Sequence, residues 1–169
     1  MDARRCISYW TIESKQLPPR HIRPLFGRWF FGCDVCQEVC PHNVSPPDCE
    51  EDDFRPRHAF VDLHELLLQP DEEILERFTG TPLRRPGAAG LKRNALIVLG
   101  NIGADDSVEA AQAALKHPSP VVRGAAIWCL ARLGDRGVLK HKDSDPIVTE
   151  ELEAVRSGAI PPRSAGPIS

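Results

Sequence analysis

A mainly α-helical chain, with a short cysteine-bearing segment in front of stacked helix pairs, is predicted by three observations. Cys6 and the run Cys33-Asp-Val-Cys36-Gln-Glu-Val-Cys40-Pro41 carry the residue types and spacing of a metal-cluster loop. From Phe60 onward the apolar residues fall at helical spacing. The second half of the chain then repeats itself with a period near thirty.

The front segment, residues 1–47, is loop-rich and broken by Pro18, Pro19, Pro24, Pro41, Pro46 and Pro47. Its cysteine run reproduces the last three cysteines and the proline of the bacterial iron–sulfur pattern C-x₂-C-x₂-C-x₃-C-P. The x₂ step lets two thiolates grip one centre from a tight loop. The x₃ step swings Cys40 away, and Pro41 prevents continuation as helix. In two-cluster ferredoxins the cysteine before that proline ligates the neighbouring cluster. Cys33 and Cys36 are therefore expected on one cluster and Cys40 on another. Phe30 stands where a third local cysteine belongs, so a ligand must come from elsewhere, and Cys6 is the obvious lender.

Zinc and a disulfide are the competing readings. Zinc takes four ligands, with His42, His58 or His64 available beside Cys40. The Cys-Pro step and the x₃ spacing are not zinc-knuckle features. Six cysteines in 169 residues is well below a disulfide-scaffold density, and no signal peptide precedes them. A cytosolic, reducing compartment is expected. Cys49 lacks partner spacing and Cys129 sits in an apolar helical run, so both read as ordinary residues. Between Cys6 and Ile12 the periodicity does not decide between helix and strand.

Residues 48–59 are acidic and polar and read as a linker, followed by a HEAT-like helical repeat domain over 60–158. Asp62 opens a short helix carrying Val61, Leu63, Leu66 and Leu67. Pro70 and the acids after it open a second, where the dipole favours them, with Ile74, Leu75 and Phe78 apolar and an end near Gly80. Residues 92–103 align with 123–134 at an offset of 31, matching Ala95/Ala126, Leu96/Ile127, Leu99/Leu130, Ile102/Leu133 and Gly103/Gly134. A return helix is predicted from Asp105, and Asp145-Pro146 repeats the helix start seen at 117–122. Matched alanines let neighbouring helices approach while leucines fill the shared core. Residues 159–169, rich in Pro, Gly and Ser, read as a disordered tail.

Charged residues at 27 % and hydrophobic ones at 41 % describe a globular chain, and no apolar run approaches membrane-spanning length. A net charge of −3 does not by itself point to nucleic acid, but its distribution is segregated. Arg4, Arg5, Lys15, Arg20, Arg23 and Arg28 face only Asp2 and Glu13 in the first 30 residues. Arg84, Arg85, Lys92 and Arg93 have no acid among 82–93, whereas acids gather at 48–53 and 71–76. Such segregation can build one basic face.

Together, Cys6-Ile-Ser-Tyr-Trp-Thr-Ile-Glu13, Gly32-Cys-Asp-Val-Cys-Gln-Glu-Val-Cys-Pro-His-Asn43, Thr81-Pro-Leu-Arg-Arg85 and Leu91-Lys-Arg-Asn94 resemble the epoxyqueuosine reductases. The resemblance covers nearly the whole chain apart from the last ten or so residues, and only the C-terminal part of the family's pattern. In that family a cobalamin-binding catalytic domain and a first C-x₂-C-x₂-C-x₃-C-P motif lie upstream. A truncated or mis-started chain is therefore expected, with the N-terminal catalytic domain missing. The resemblance implies an oxidoreductase that removes the epoxide oxygen of epoxyqueuosine in tRNA, the last step of queuosine synthesis. It uses cobalamin and two [4Fe–4S] clusters fed by an external electron donor.

Carried over by motif, Cys6, Cys33 and Cys36 hold one cluster with an upstream cysteine, and Cys40 completes the other. Ser8, Asp34 and Val35 fall where the family approaches the corrin. Arg84, Arg85, Lys92 and Arg93 suit a tRNA-facing edge that neutralises phosphates without reading bases. Trp10 and Trp128 are candidates to stack on a base, with core packing favoured for Trp128. No residue here stands out as a proton donor or nucleophile. A different cobalamin or [4Fe–4S] reductase, a stand-alone electron carrier, and a zinc-stabilised HEAT scaffold are the alternative readings.

Overall fold

The computed structural model describes residues 2–45, 49, 51, 52, 60–103 and 106–163. Among them the regular structure is helical throughout, with no strand. The helices are α1 (Val35–Glu38), α2 (Leu63–Leu68), α3 (Asp71–Arg77), α4 (Gly87–Ile102), α5 (Ser107–Ala114), α6 (Pro120–Arg132) and α7 (Pro146–Arg156). Most of the acidic linker at 48–59, Asp105 and the last six residues lie outside the described residues.

Several helix boundaries of the second half are set by local chemistry. The Asp62 carboxylate accepts from the His64 and Glu65 amides at 2.8 and 3.0 Å and caps α2. Asp71, Glu72 and Glu73 fill the first turn of α3. Pro120 and Pro146 occupy the first positions of α6 and α7, and the Asp145 side chain caps the latter through Ile147 N at 2.9 Å. The repeat is realised in three dimensions. α4 ends at Gly103 (φ 72°) and α6 is followed by Gly134 (φ 80°), both in the left-handed conformation that suits glycine.

α4 and α6 are the central pair. Leu91, Ala95, Leu96 and Leu99 of α4 join Ala125, Ala126, Ile127 and Leu130 of α6 in one core with Leu66, Ile74, Phe78, Val148 and Leu152. Close approach depends on Gly100, where a Cβ would stand 2.7 Å from Trp128 Cζ3 and 3.2 Å from Cys129 Cα. A second cluster of Trp10, Ile22, Phe26, Ile97, Trp128, Ala131, Ala154 and Ile160 joins the front segment to the repeat. Trp10 and Trp128 are thus buried core residues, not platforms for a base. Burial pushes the Cys129 thiol up to about 12, which keeps it protonated and inert.

Ile160, within the stretch read as a disordered tail from 159 onward, is buried. Pro161 O accepts from Arg132 at 3.1 Å, and Arg163 N donates to Arg132 O at 2.8 Å. The Arg163 guanidinium bonds to Ile102 O at the end of α4. Composition alone missed this because the anchoring partners are helix-end carbonyls.

The start of α6 is tied to the loop before α7 by Arg123, whose Nε lies 2.7 Å from Asp143 Oδ2. The Arg123 guanidinium holds the Asp143 carboxyl down from its ordinary 3.8 to about 2, helped by the Asp145 amide. A depressed carboxyl contributes stability above its unfolded value and loses it as pH falls through the folded one. Asp143→Asn is therefore expected to destabilise the chain at pH 6, with the difference shrinking between about pH 4 and about pH 2. Denaturant titrations of both proteins across that range measure it, and a difference independent of pH contradicts the assignment.

Candidate functional site

Cysteine-bearing loops need partners for their backbone groups, because they lack a ladder of their own. Cys6 closes a short turn, its N–H donating to Ala3 O at 3.0 Å. The chain then winds into a wide π-helical turn, Tyr9–Glu13, closed by Ser14 N donating to Tyr9 O at 2.9 Å. Wide turns of this kind recur at functional sites.

Thr11 ties this turn to the second cysteine loop. Its buried hydroxyl donates to Ile7 O at 2.9 Å and accepts from Gly32 N at 3.0 Å. Gly32 takes φ 72°, a left-handed value that turns the chain into Cys33. Ser8 Oγ reaches Cys33 O at 3.5 Å, a long and weak contact. The loop carrying Cys33 thus lies directly against the turn that follows Cys6. From Cys33 the chain enters α1, which holds Cys36. Cys40 N donates to Gln37 O at 3.2 Å as the helix ends, and Pro41 opens a further turn braced by Asn43 Nδ2 on Gln37.

All four front cysteines carry free thiols; Cys36 is exposed and Cys6, Cys33 and Cys40 are half-buried. Among the described residues no three His, Cys, Asp or Glu side chains converge as a closed metal set. The donor chemistry fits iron–sulfur ligation, and the chain offers these thiolates without closing a four-thiolate set by itself. Asp34 and Val35 are exposed beside them, and the Asp34 side chain makes no capping bond to α1. Of the histidines weighed for zinc, His64 Nε2 lies 2.9 Å from Ser107 Oγ, holding α2 to α5. His42 is exposed and His58 lies outside the described residues.

The basic edge needs correction. Lys92 and Arg93, expected to face a nucleic acid, are buried at 5 % and 0 % exposure. Lys92 Nζ is held by Gln69 O at 2.7 Å and Asp71 Oδ1 at 2.8 Å. Arg93 Nη1 donates to Ser14 O and Gln16 O at 2.7 and 2.8 Å, and Nη2 to Trp10 O at 2.6 Å. Nη2 also reaches Asn94 Oδ1 at 2.8 Å. Burial lowers the Arg93 guanidinium to about 10, which leaves it cationic at neutral pH. Both residues sit inside α4, past its first turn, with their side chains turned into the protein.

Arg84 and Arg85 remain exposed ahead of α4. Arg85 pairs with Glu13, and Lys15 Nζ donates to Arg85 O at 2.6 Å. Lys15 therefore joins Arg84 and Arg85 on one exposed patch. The basic first thirty residues had flagged Lys15, but nothing in the sequence linked it to residue 85.

Two stretches match known domain families: residues 1–43 the 4Fe-4S double cluster binding domain, and residues 83–156 the HEAT repeats. The chain is 46 % identical over 138 residues to the epoxyqueuosine reductase of Pseudomonas aeruginosa, covering 80 % of this chain and 38 % of that protein. With the enzyme of Shewanella oneidensis it shares 38 % over 168 residues, 95 % of this chain and 41 % of the relative. Its fold superposes on a crystal structure of epoxyqueuosine reductase with an epoxyqueuosine-modified tRNA-Tyr stem loop at a TM-score of 0.83 and 28 % identity. That match covers 93 % of this chain and 44 % of the other. The chain spans well under half the length of the relatives it matches.

Proposed function

This chain matches epoxyqueuosine reductases in sequence and fold over part of their length, and on that premise we propose that it is the cluster-carrying and tRNA-holding C-terminal part of such an enzyme. The observation that carries the reading is the seam between the two cysteine loops. Thr11 bonds the turn after Cys6 to Gly32, with a long contact from Ser8 to Cys33 O beside it, and this supports Cys6 as the lender to the pair that lacks a ligand.

Cys6, Cys33 and Cys36 then serve one [4Fe–4S] cluster with a thiolate from outside these residues, and Cys40 serves a second. Half-buried Ser8 and exposed Asp34 and Val35, at the lip of that seam, are the residues of this chain that would approach a corrin. When bound, the clusters supply single electrons from an external donor, and cobalamin supplies the chemistry that removes the epoxide oxygen. The protein's own part is to hold thiolates at fixed spacing, limit water at the half-buried sulfurs and present the tRNA. In that role Lys15, Arg84 and Arg85 neutralise backbone phosphates of the anticodon arm. No described helix is long and apolar enough to cross a membrane, and a cytoplasmic place is part of this reading.

The nucleic-acid half is tested in the complete protein carrying this chain. Arg84→Glu with Arg85→Gln is expected to weaken binding of an epoxyqueuosine-bearing anticodon stem loop. The same change should flatten the dependence of log affinity on log salt by about one to two units, as two phosphate contacts are lost. Unchanged affinity with an unchanged salt slope removes tRNA from the reading.

A further inference from the structure

Among the described residues Arg93 is the most deeply buried charge, at 0 % exposure, and it has no carboxylate partner there. Every acceptor around it is neutral: the carbonyls of Trp10, Ser14 and Gln16, and the amide oxygen of Asn94. Buried charges are ordinarily paired, because an unpaired one pays for desolvation without a Coulombic return. The other fully buried arginine shows the contrast: Arg23 meets the Glu151 carboxylate through both terminal nitrogens at 2.8 Å.

Two features set the place of this lone cation. Its fork gathers the carbonyls of the segment that runs on from Cys6, and its neighbour Asn94 adds a bond from Nδ2 to Thr11 O at 2.8 Å. Trp10, whose carbonyl Arg93 holds, in turn donates its own N–H to Cys6 O at 3.3 Å. The guanidinium thus lies buried behind the wide turn that follows Cys6. Iron–sulfur potentials respond to net charge, hydrogen bonding and exposure around the cluster. A cluster gains negative charge on reduction, so a buried cation nearby favours the reduced form.

We propose that Arg93 is a positioning residue for the cluster that Cys6 serves, fixing the turn that follows this ligand and, as an unpaired buried cation, raising that cluster's reduction potential. The proposal rests on the reading that Cys6 is a cluster ligand. It goes beyond that reading in giving the helical repeat a direct electronic hold on the cluster segment.

The test uses the complete protein, reconstituted anaerobically with iron and sulfide, and reads the midpoint potential by redox titration followed by electron paramagnetic resonance. Arg93→Met is expected to shift the oxidised-to-reduced ratio at fixed ambient potential about tenfold toward oxidised, about 59 mV for a one-electron couple. Asn94→Asp leaves the guanidinium in place and gives it a counter-charge, and is expected to shift the potential the same way. Arg93→Lys keeps the charge and is expected to restore most of the potential. Where Arg93→Met does not fold, the Asn94→Asp and Arg93→Lys pair decides the question. Cluster-loaded variants whose potentials all equal the wild-type value overturn the proposal. Cys6→Ala separates this from the underlying reading: if it leaves both cluster signals intact, the ligand assignment fails before Arg93 is in question.

Discussion

Glu151→Ala is expected to cost the chain about 3–5 kcal/mol of stability, the usual penalty for removing one partner of a buried ion pair. The Glu151 carboxylate receives Arg23 Nη1 and Nη2, each at 2.8 Å, with side-chain exposures of 3 % and 4 % for the two partners. Arg23 is further fixed by Nε on Pro18 O at 2.7 Å, so it has no easy route back to water. Arg20 loses a partner too, its Nε standing 3.1 Å from the same carboxylate.

The damage is not confined to α7. Arg23 belongs to the front segment and Glu151 to the last helix, so the pair clamps the cysteine-bearing loops onto the repeat. Glu151→Gln, which keeps the shape and one acceptor, is expected to cost less than Glu151→Ala. The double replacement Arg23→Met with Glu151→Leu is expected to recover most of the loss, because no unpaired charge is left. Denaturant unfolding followed by tryptophan fluorescence measures all three. A loss below about 1 kcal/mol for Glu151→Ala, the range of exposed pairs, contradicts the clamp.

The sequence disclosed elements whose causes are local. Asp62, Pro70, Pro120 and Asp145 announce helix starts within a residue or two because capping needs only neighbours, and the offset of 31 disclosed the packed pair α4 and α6. The cysteine spacing disclosed the loop and its proline-ended exit in the same way, but not the short helix α1 within it. What stayed hidden depends on distant partners. Arg93 bonds to carbonyls 77 to 83 residues away, and hydrophobic periodicity says nothing of such pairings. A lysine and an arginine between Leu91 and Ala95 therefore read as a surface patch, when they are the polar face of a helix buried all round. Asn101, on the same helix, likewise donates to Arg23 O and Gly27 O at 2.9 and 3.2 Å. The front segment and the repeat are joined through this face, which is why a boundary drawn from composition at residue 47 hides how they pack. Ile160 escaped notice for the same reason, its burial being set by Trp10, Trp128 and their neighbours.

Alanine at Cys40 is expected to remove one cluster from the complete protein, and alanine at Cys6 or Cys36 the other. Each loss takes about half of the iron and sulfide, because the Cys-Pro cysteine belongs to the neighbouring cluster in this spacing. Cys129→Ala should leave the metal content alone, its thiol being buried in α6 and held protonated. Cys49, exposed and without partner spacing, should behave likewise.

The most direct measurement is iron and acid-labile sulfide per chain, with the reduced spectrum, for Cys6→Ala, Cys40→Ala and the double variant. Two different clusters lost singly, and both lost together, is the expected result. Loss of the same cluster in both single variants, or zinc without sulfide in the parent protein, would contradict it.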